Sequence, residues 1–347
     1  MINKIIKKKS LYLTGINKIE LKESSKKINS KDIKIKINSC GICSSDLKFI
    51  FTGSRIKKYP IILGHEISGT ISKNKHVVLG AEIPCENCLS CKKLKNDKHL
   101  CDNPKSIGSN FDGGFSNYLI INRKTFNKMP RVIYKNKTSY KYASLAESLA
   151  CVINGLEITN FKKNQNIIII GAGYMGLLFV ALSKIKKAKN ISVVDYDKKR
   201  LKVAKIMGAN HIFYAKNKKK NFLKKIMKPT KNLGYDAVIS ANSNLKAHEL
   251  ACNLVGKKGV INLFGGIPKN INKKMQIDSN FIHYKQAIIT GSFSSNQEHL
   301  NQAFKIIKNK SIDFSKIVTS YANFNNFKDK IKKLKNRTEI KTIFIPN

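Results

Sequence analysis

Two different patterns of apolar residues divide the chain. Up to about residue 150, short apolar runs alternate with glycines and polar turns, as at 33–37, 67–71 and 118–121. Such runs are typical of strands, so we expect this part to form a compact, mostly β domain. From about residue 160 the pattern becomes an alternation of apolar strands and amphipathic helices. That alternation predicts a parallel sheet with helices packed on its faces, and therefore an α/β class.

The second part begins with the four-isoleucine run at 167–170, which we interpret as a buried strand. Further strands are predicted at 191–195, 236–240, 259–264 and 287–290, and helices at 174–186, 198–207 and 245–255. A helix at 297–308 and an apolar run at 342–345 complete the chain. At 347 residues, two domains are the expected organisation.

The formal charge of +45 suggests binding to polyanions. Lysine is nevertheless spread through almost every segment together with Asn and Ile, and no nucleic-acid-binding motif accompanies it. A compositional bias is therefore favoured over specific nucleic-acid binding. No apolar run approaches the roughly 18 residues of a membrane span. Residues 1–7 lack the apolar core of a signal peptide, so we expect a cytoplasmic protein.

A glycine-rich motif directly follows the strand at 167–170 and opens the next helix. It reads Gly171-Ala172-Gly173-Tyr174-Met175-Gly176. A strand, this spacing of glycines and a helix together form the dinucleotide-binding fingerprint, in which the pyrophosphate lies at the positive helix end. We predict that the motif, including Tyr174 and Met175, binds the cofactor.

An acidic residue, Asp195, ends the next strand about 20 residues after the motif. A carboxylate there accepts hydrogen bonds from the ribose hydroxyls and repels a 2′-phosphate, which favours NAD over NADP. Arg200 is a further candidate for cofactor binding, although a surface side chain is favoured over a phosphate ligand at this position. Asp197 between them is interpreted as a helix cap.

Four of the eight cysteines lie within seventeen residues. They are Cys85, Cys88, Cys91 and Cys101. Disulfide scaffolds are usually small and secreted, and free thiols this dense would be prone to oxidation. The spacing instead predicts a closed four-thiolate zinc site of the structural type.

A second, dispersed set of possible metal ligands consists of Cys43, His65, Glu66 and Glu147. Thiolate, imidazole and carboxylate are suitable ligands for a zinc site that keeps one position open. Spacing alone does not show that these residues meet. On residue chemistry alone, His65 could equally be a core histidine.

The chain resembles the zinc-containing medium-chain alcohol dehydrogenases, close to the sorbitol and threonine dehydrogenase branch. The resemblance covers essentially the whole chain and rests on motifs in the family's order. These are Gly41-Ile42-Cys43-Ser44-Ser45-Asp46, Gly64-His65-Glu66, the four cysteines, Glu147-Ser148-Leu149-Ala150-Cys151, the glycine motif with Asp195, Phe264-Gly265-Gly266-Ile267-Pro268 and His283-Tyr284-Lys285. It implies a GroES-like catalytic domain at 1–150 and 288–347 with a zinc lobe at 85–101, a doubly wound Rossmann domain at 151–287, and a homodimer or homotetramer.

The same resemblance implies roles for individual residues. Cys43 and His65 match ligands of a catalytic zinc, and Asp46 matches the acceptor that fixes the His65 ring. Glu66 and Glu147 match carboxylates that are direct or water-mediated ligands in different members, so which of the two binds stays open.

The implied reaction is hydride transfer between a secondary alcohol and NAD, with zinc lowering the pKa of the substrate hydroxyl. Ser45 is the candidate first proton acceptor, Glu66 a further catalytic candidate, and Lys48 occupies the position where many relatives carry a relay histidine. The expected substrate is a polyol, cyclitol or sugar derivative. The alternatives are a threonine- or butanediol-type dehydrogenase, a zinc-free reductase of the same fold, and a non-catalytic member.

Overall fold

The computed structural model describes residues 4–135, 140–216, 221–268 and 274–346, so the first three residues of the N-terminal run lie outside it. The chain forms two compact units, residues 1–150 with 294–347 and residues 151–293. The second boundary therefore lies after residue 293, whereas the sequence analysis placed it after 287. The reason is that the strand Ile288–Gly291 pairs with the strand Val255–Leu263 and so belongs to the sheet of the second unit.

The strands in chain order are β1 (Lys4–Gly15), β2 (Lys18–Ile28), β3 (Asp32–Gly41), β4 (Ile61–Ile62), β5 (Glu66–Ser72), β6 (Lys75–Leu79), β7 (Glu82–Ile83), β8 (Lys105–Ser106), β9 (Tyr118–Asn122), β10 (Arg131–Tyr134), β11 (Asn166–Ile170), β12 (Asn190–Asp195), β13 (His211–Tyr214), β14 (Tyr235–Ser240), β15 (Val255–Leu263), β16 (Ile288–Gly291), β17 (Val318–Ala322) and β18 (Lys341–Phe344). The helices are α1 (Ser44–Thr52), α2 (Leu89–Lys93), α3 (Arg123–Lys128), α4 (Tyr140–Ala143), α5 (Ala146–Glu157), α6 (Tyr174–Ile185), α7 (Lys198–Met207), α8 (Phe222–Met227), α9 (Leu245–Leu254), α10 (Ser279–Lys285), α11 (Gln297–Lys308) and α12 (Phe327–Lys335). Short 3₁₀ turns occur at Lys98–Leu100, Lys228–Thr230 and Phe314–Lys316.

The first unit is built around a seven-stranded sheet in the order β10-β6-β5-β3-β18-β17, with β9 also paired to β3. Buried and more exposed residues alternate along β3, and Ile33, Ile35 and Ile37 are all buried on one face. This pattern explains why β3 lies inside the sheet with one face against the core. The core around them is closed by the C-terminal strand β18, whose Phe344 is fully buried. Pairing of β18 with β3 at Gly41 brings the end of the chain beside the first candidate metal ligands.

The second unit contains a six-stranded parallel sheet in the order β13-β12-β11-β14-β15-β16. The central strand β11 is covered on both faces, which is why it consists of consecutive isoleucines that are all nearly inaccessible to solvent. The strand order reverses at β11, as in doubly wound folds that bind dinucleotides. The prediction of a mostly β domain joined to a doubly wound α/β domain is confirmed.

Most predicted helices agree with the structure within a residue or two. Helix α7 ends where predicted, because Gly208 adopts a φ of 122° that suits glycine at a helix end. The other eight helices of the described residues, among them α5 and α12, were not predicted from the sequence. Helix α12 is amphipathic, with Phe327 and Ile331 buried four residues apart. None of the helices within the described part of the chain is long and apolar enough to cross a membrane.

Candidate functional site

Three of the dispersed candidate ligands meet in the first unit. Ligand atoms of Cys43, His65 and Glu66 all lie within 4.8 Å of one another. Cys43 immediately precedes helix α1, and His65 precedes strand β5, which begins at Glu66. Pairing of Gly41 with Glu66 across β3 and β5 holds the two segments together. The fold therefore gathers a thiolate, an imidazole and a carboxylate, a donor set that suits zinc.

Asp46 lies behind His65 and fixes the orientation of its ring. The carboxylate of Asp46 is fully buried, accepts a hydrogen bond from the backbone N–H of Cys43 at 2.8 Å, and lies 3.6 Å from Nδ1 of His65. Burial would lower the pKa of His65, but the charge of Asp46 raises it well above its ordinary value. A proton on Nδ1 facing Asp46 leaves the lone pair of Nε2 for a metal, which is the usual arrangement of a ligand histidine.

Ser45 lies next to that nitrogen, with its Oγ 3.5 Å from Nε2 of His65. It occupies helix α1, one position after Ser44, and is half-buried. Lys48 lies three residues further along α1 and is exposed. A separation of three residues places Ser45 and Lys48 on neighbouring positions of one helix face.

Glu66 has a partner that was not predicted from the sequence. Nζ of Lys341 lies 2.6 Å from Oε1 of Glu66 and donates to the carbonyl of Ile42 at 3.0 Å. The side chains of this ion pair are 0% and 1% exposed. The other carboxylate oxygen of Glu66, Oε2, is buried without a hydrogen-bond partner among the described residues. An orphaned carboxylate oxygen beside a thiol and an imidazole fits a site that holds a cation.

Two further buried carboxylates lie close to this centre. Glu147, in the first turn of α5, does not join the close group of three, but burial raises its pKa to about 7, against the charge of His65. Glu82, on β7, was not recognised from the sequence. Burial raises the pKa of Glu82 also, while a hydrogen bond from Ser106 and the charge of His65 lower it. An acid between apolar residues was the one signal that could have identified it.

The four clustered cysteines form a second group in the first unit. The sulfur atoms of Cys85, Cys88, Cys91 and Cys101 all lie within 4.8 Å of one another. Backbone N–H groups also point at the sulfurs, since the N–H of Asn103 lies 3.3 Å from Sγ of Cys101. Four thiols at this spacing fit a tetrahedral zinc site.

The glycine motif forms the turn between β11 and α6 in the second unit. Gly171 has a φ of 109°, a conformation that favours glycine. A Cβ at Gly176 would collide with the carbonyl oxygen of Gly171. A Cβ at Gly173 would meet only the guanidinium of Arg200, at 3.6 Å. The backbone at Gly173 is therefore open to a ligand at the N-terminus of α6, where a pyrophosphate fits.

Asp195 ends β12 beside this turn. Its Oδ2 accepts from the N–H of Ala172 at 2.6 Å and its Oδ1 from the N–H of Asp197 at 2.8 Å. Each oxygen keeps a second lone pair for a ribose hydroxyl. Arg200 forms an ion pair with Asp197 at 3.7 Å. Tyr174 and Met175, also predicted to contact the cofactor, are half-buried in the first turn of α6.

Known proteins share both units. Residues 29–131 match the family described as Alcohol dehydrogenase GroES-like domain, and residues 175–309 the family described as Zinc-binding dehydrogenase. Galactitol 1-phosphate 5-dehydrogenase of Escherichia coli K12 is 24% identical over 91% of this chain and 92% of its own length. Sorbitol dehydrogenase of Halalkalibacterium halodurans is 25% identical over 90% of this chain and 91% of its own length. A putative zinc-binding dehydrogenase of Sinorhizobium meliloti, solved bound to NADP, has a TM-score of 0.89 and 21% identity, over 98% of this chain and all of that one.

The fold and the two sites define an oxidoreductase that combines a metal centre with a dinucleotide-binding domain. The two family matches lie in the order that the sequence motifs predicted, the first within the first unit and the second mostly within the second. The chain belongs to the zinc-containing medium-chain alcohol dehydrogenase family, with zinc and NAD(P) as its cofactors.

Proposed function

We propose that this enzyme oxidises a secondary alcohol of a polyol, cyclitol or sugar derivative, reversibly and with NAD as hydride acceptor. The observation that carries the proposal is the convergence of Cys43, His65 and Glu66 within 4.8 Å, in a chain that also carries a dinucleotide turn. The relatives named for galactitol 1-phosphate and sorbitol support the polyol class.

Cys43 and His65 would hold the catalytic zinc, with Glu66 or Glu147 as the third protein ligand. When bound, the zinc would polarise the substrate hydroxyl and lower its pKa. Asp46 would keep the proton of His65 on Nδ1 and leave Nε2 free to bind the metal. The four-cysteine lobe would hold a second, structural zinc.

Ser45 would receive the hydroxyl proton, since its Oγ lies beside Nε2 of His65. From Ser45 the proton would pass to solvent beside Lys48, which lies three residues on and is exposed. In the second unit, Asp195 would accept from the ribose hydroxyls, and the turn at Gly173 with Arg200 would hold the phosphates. The Asp195 carboxylate supports NAD over NADP because it repels a 2′-phosphate.

A second candidate substrate is an amino alcohol of the threonine type. The observation favouring it is the fourth buried carboxylate, Glu82, close enough to the centre for the charge of His65 to act on it. An ammonium group is attracted to such a site more strongly than a neutral hydroxyl is. For assembly, we propose a homodimer or homotetramer formed through the second unit, where the edge strand β16 exposes 54% of Ile288.

The test is a panel of sorbitol, galactitol 1-phosphate, butanediol and L-threonine, with NAD and NADP in parallel, followed by absorbance of the reduced cofactor. Metal analysis should give about two zinc ions per chain. Ser45→Ala should lower turnover with the zinc content unchanged, and an unchanged rate would remove Ser45 from the mechanism. A clear preference for NADP would refute the role given to Asp195.

A further inference from the structure

A groove runs along one edge of the first unit, between β10 and α11. It has a volume of about 580 Å³. We call it the edge groove, and it is lined by Val132, Ile133, Tyr134, Lys135, Asn301, Phe304, Lys305, Lys308 and Asn309. None of these residues belongs to the metal centres or to the dinucleotide turn.

The strand in this groove has an open edge. β10 is the last strand of its sheet and pairs within the described residues only with β6. The carbonyl of Pro130 points towards β6, where it accepts from Gly80 at 2.8 Å. The next residue, Arg131, points the other way, and both its N–H and its C=O bond to the side-chain amide of Gln297 at 2.9 Å. One amide side chain therefore makes the two bonds that a residue of an added strand would make.

Because backbone polar groups alternate along a strand, those of Ile133 point to the same side as those of Arg131. No described residue hydrogen-bonds to the N–H or C=O of Ile133 on that side. The side chain of Ile133 is 43% exposed. An edge strand with an unpaired N–H and C=O is a template for another strand.

Helix α11 supplies the other wall of the groove. The lining residues Asn301, Phe304, Lys305 and Lys308 recur at helical spacing and so share one face. Phe304 is 8% exposed and packs on Tyr134 with ring centroids 4.6 Å apart. This pair forms an apolar floor between the open strand and the helix. A groove between an edge strand and a helix suits an extended peptide that adds to the sheet.

The charge of the groove indicates what kind of peptide would bind there. Lys135, Lys305 and Lys308 line it, and none of its described lining residues is acidic. By contrast, a second cavity of about 260 Å³ in the same unit is lined by Glu82 and Glu86 as well as by basic residues. In an added strand, alternate side chains point to the same face. If these side chains carry carboxylates, they would face the lysines.

We propose that the edge groove binds an extended, acidic segment of a partner protein, which pairs with β10 at Ile133 and places its carboxylates against Lys135, Lys305 and Lys308. This surface is separate from the residues assigned to catalysis, so the proposal does not depend on the substrate or on the cofactor preference.

The experiment uses the zinc-loaded full chain and the probe peptide Glu-Val-Glu-Val-Glu-Val-Glu-amide, which carries fluorescein on its N-terminal amine. Fluorescence anisotropy at low salt should show saturable binding, and hydrogen exchange of the segment around Ile133 should slow when the peptide is bound. The double variant Lys305→Glu with Lys308→Glu should weaken binding by about tenfold or more.

Two controls separate strand addition from general attraction to a basic protein. The matched variant Lys328→Glu with Lys332→Glu changes the same charge on exposed positions of α12, and should alter binding by no more than about twofold. The same peptide with every backbone nitrogen methylated keeps its charge but cannot donate to β10, and should not bind.

Several results would overturn the proposal. An equal loss of peptide affinity in both double variants would show that the peptide is attracted non-specifically to a basic protein. Equal binding of the methylated peptide would exclude strand addition, as would unchanged exchange at residues 131–135. Self-association of the enzyme that is lost only in the Lys305 and Lys308 variant would show that a second copy of this chain occupies the groove.

Discussion

The buried ion pair between Lys341 and Glu66 gives a quantitative test of the metal centre. Lys341→Met keeps the length of the aliphatic stem but removes the ammonium that lies 2.6 Å from Oε1 of Glu66. Neither side chain is more than 1% exposed, so water cannot replace the lost charge. Removing one partner of a buried pair typically costs about 3–5 kcal/mol, because a charge is left without compensation.

The loss of stability caused by Lys341→Met should depend on whether zinc is bound. In the zinc-loaded enzyme a cation beside Glu66 would supply part of the missing positive charge, and the orphaned Oε2 of Glu66 would have a partner. We therefore expect Lys341→Met to lower the free energy of unfolding by about 3–5 kcal/mol after chelation, and by less than about half of that with zinc bound. Urea unfolding of both forms, followed by circular dichroism, measures the difference.

A matched control is available in the same unit. Lys330 lies 3.8 Å from Glu339, and both side chains of this pair retain some exposure, 19% and 13%. Lys330→Met should cost no more than about 1 kcal/mol, whether or not zinc is present. If Lys341→Met costs the same with and without zinc, Glu66 does not face the metal. If Lys341→Met lowers the free energy of unfolding by no more than Lys330→Met does, burial does not strengthen the pair between Lys341 and Glu66.

Three further predictions follow from the sites. Asp46→Asn should weaken zinc binding at the His65 centre by about 10- to 100-fold, measured by competition with a chelator, because the ring loses its charged acceptor; unchanged affinity would contradict this. In the chelated protein, Glu147 holds its proton to about pH 7 when folded. Its unfolded form ionises at about 4.3, so stability should fall as pH rises between these values, and Glu147→Gln should flatten that slope in unfolding measured at several pH values. Gly176→Ala should abolish NADH fluorescence enhancement with the zinc content retained, since the new methyl would collide with the carbonyl of Gly171.

The features that could be predicted from the sequence are those encoded over short stretches. The four cysteines span seventeen residues, and the glycine turn is specified by a strand, six residues and a helix. Their physical requirements are local, namely ligand spacing, positive φ and close backbone approach. For the same reason the helix ending at Gly208 was predicted to the residue.

The features that were missed depend on contacts between distant parts of the chain. Lys341 meets Glu66 across 275 positions, and in the sequence it is one lysine among many. The dispersed ligands Cys43 and His65 were identified through resemblance to a family, because spacing alone did not show that they meet. The boundary expected after residue 287 lies after residue 293 instead, because the pairing of β16 with β15 is also non-local.

The two units each present an open sheet edge, and the chemistry of the edges differs. β16 pairs within the described residues only with β15, and it carries Ile288, with Phe293 beyond its end, at 54% and 43% exposure. β10 instead faces Lys305 and Lys308. Two copies of a chain with a charge of +45 repel each other, so self-association needs apolar burial. The exposed apolar side chains at the β16 edge offer such burial, whereas the edge groove is lined by lysines. A subunit interface at β16, as proposed above, would use none of the residues that line the edge groove.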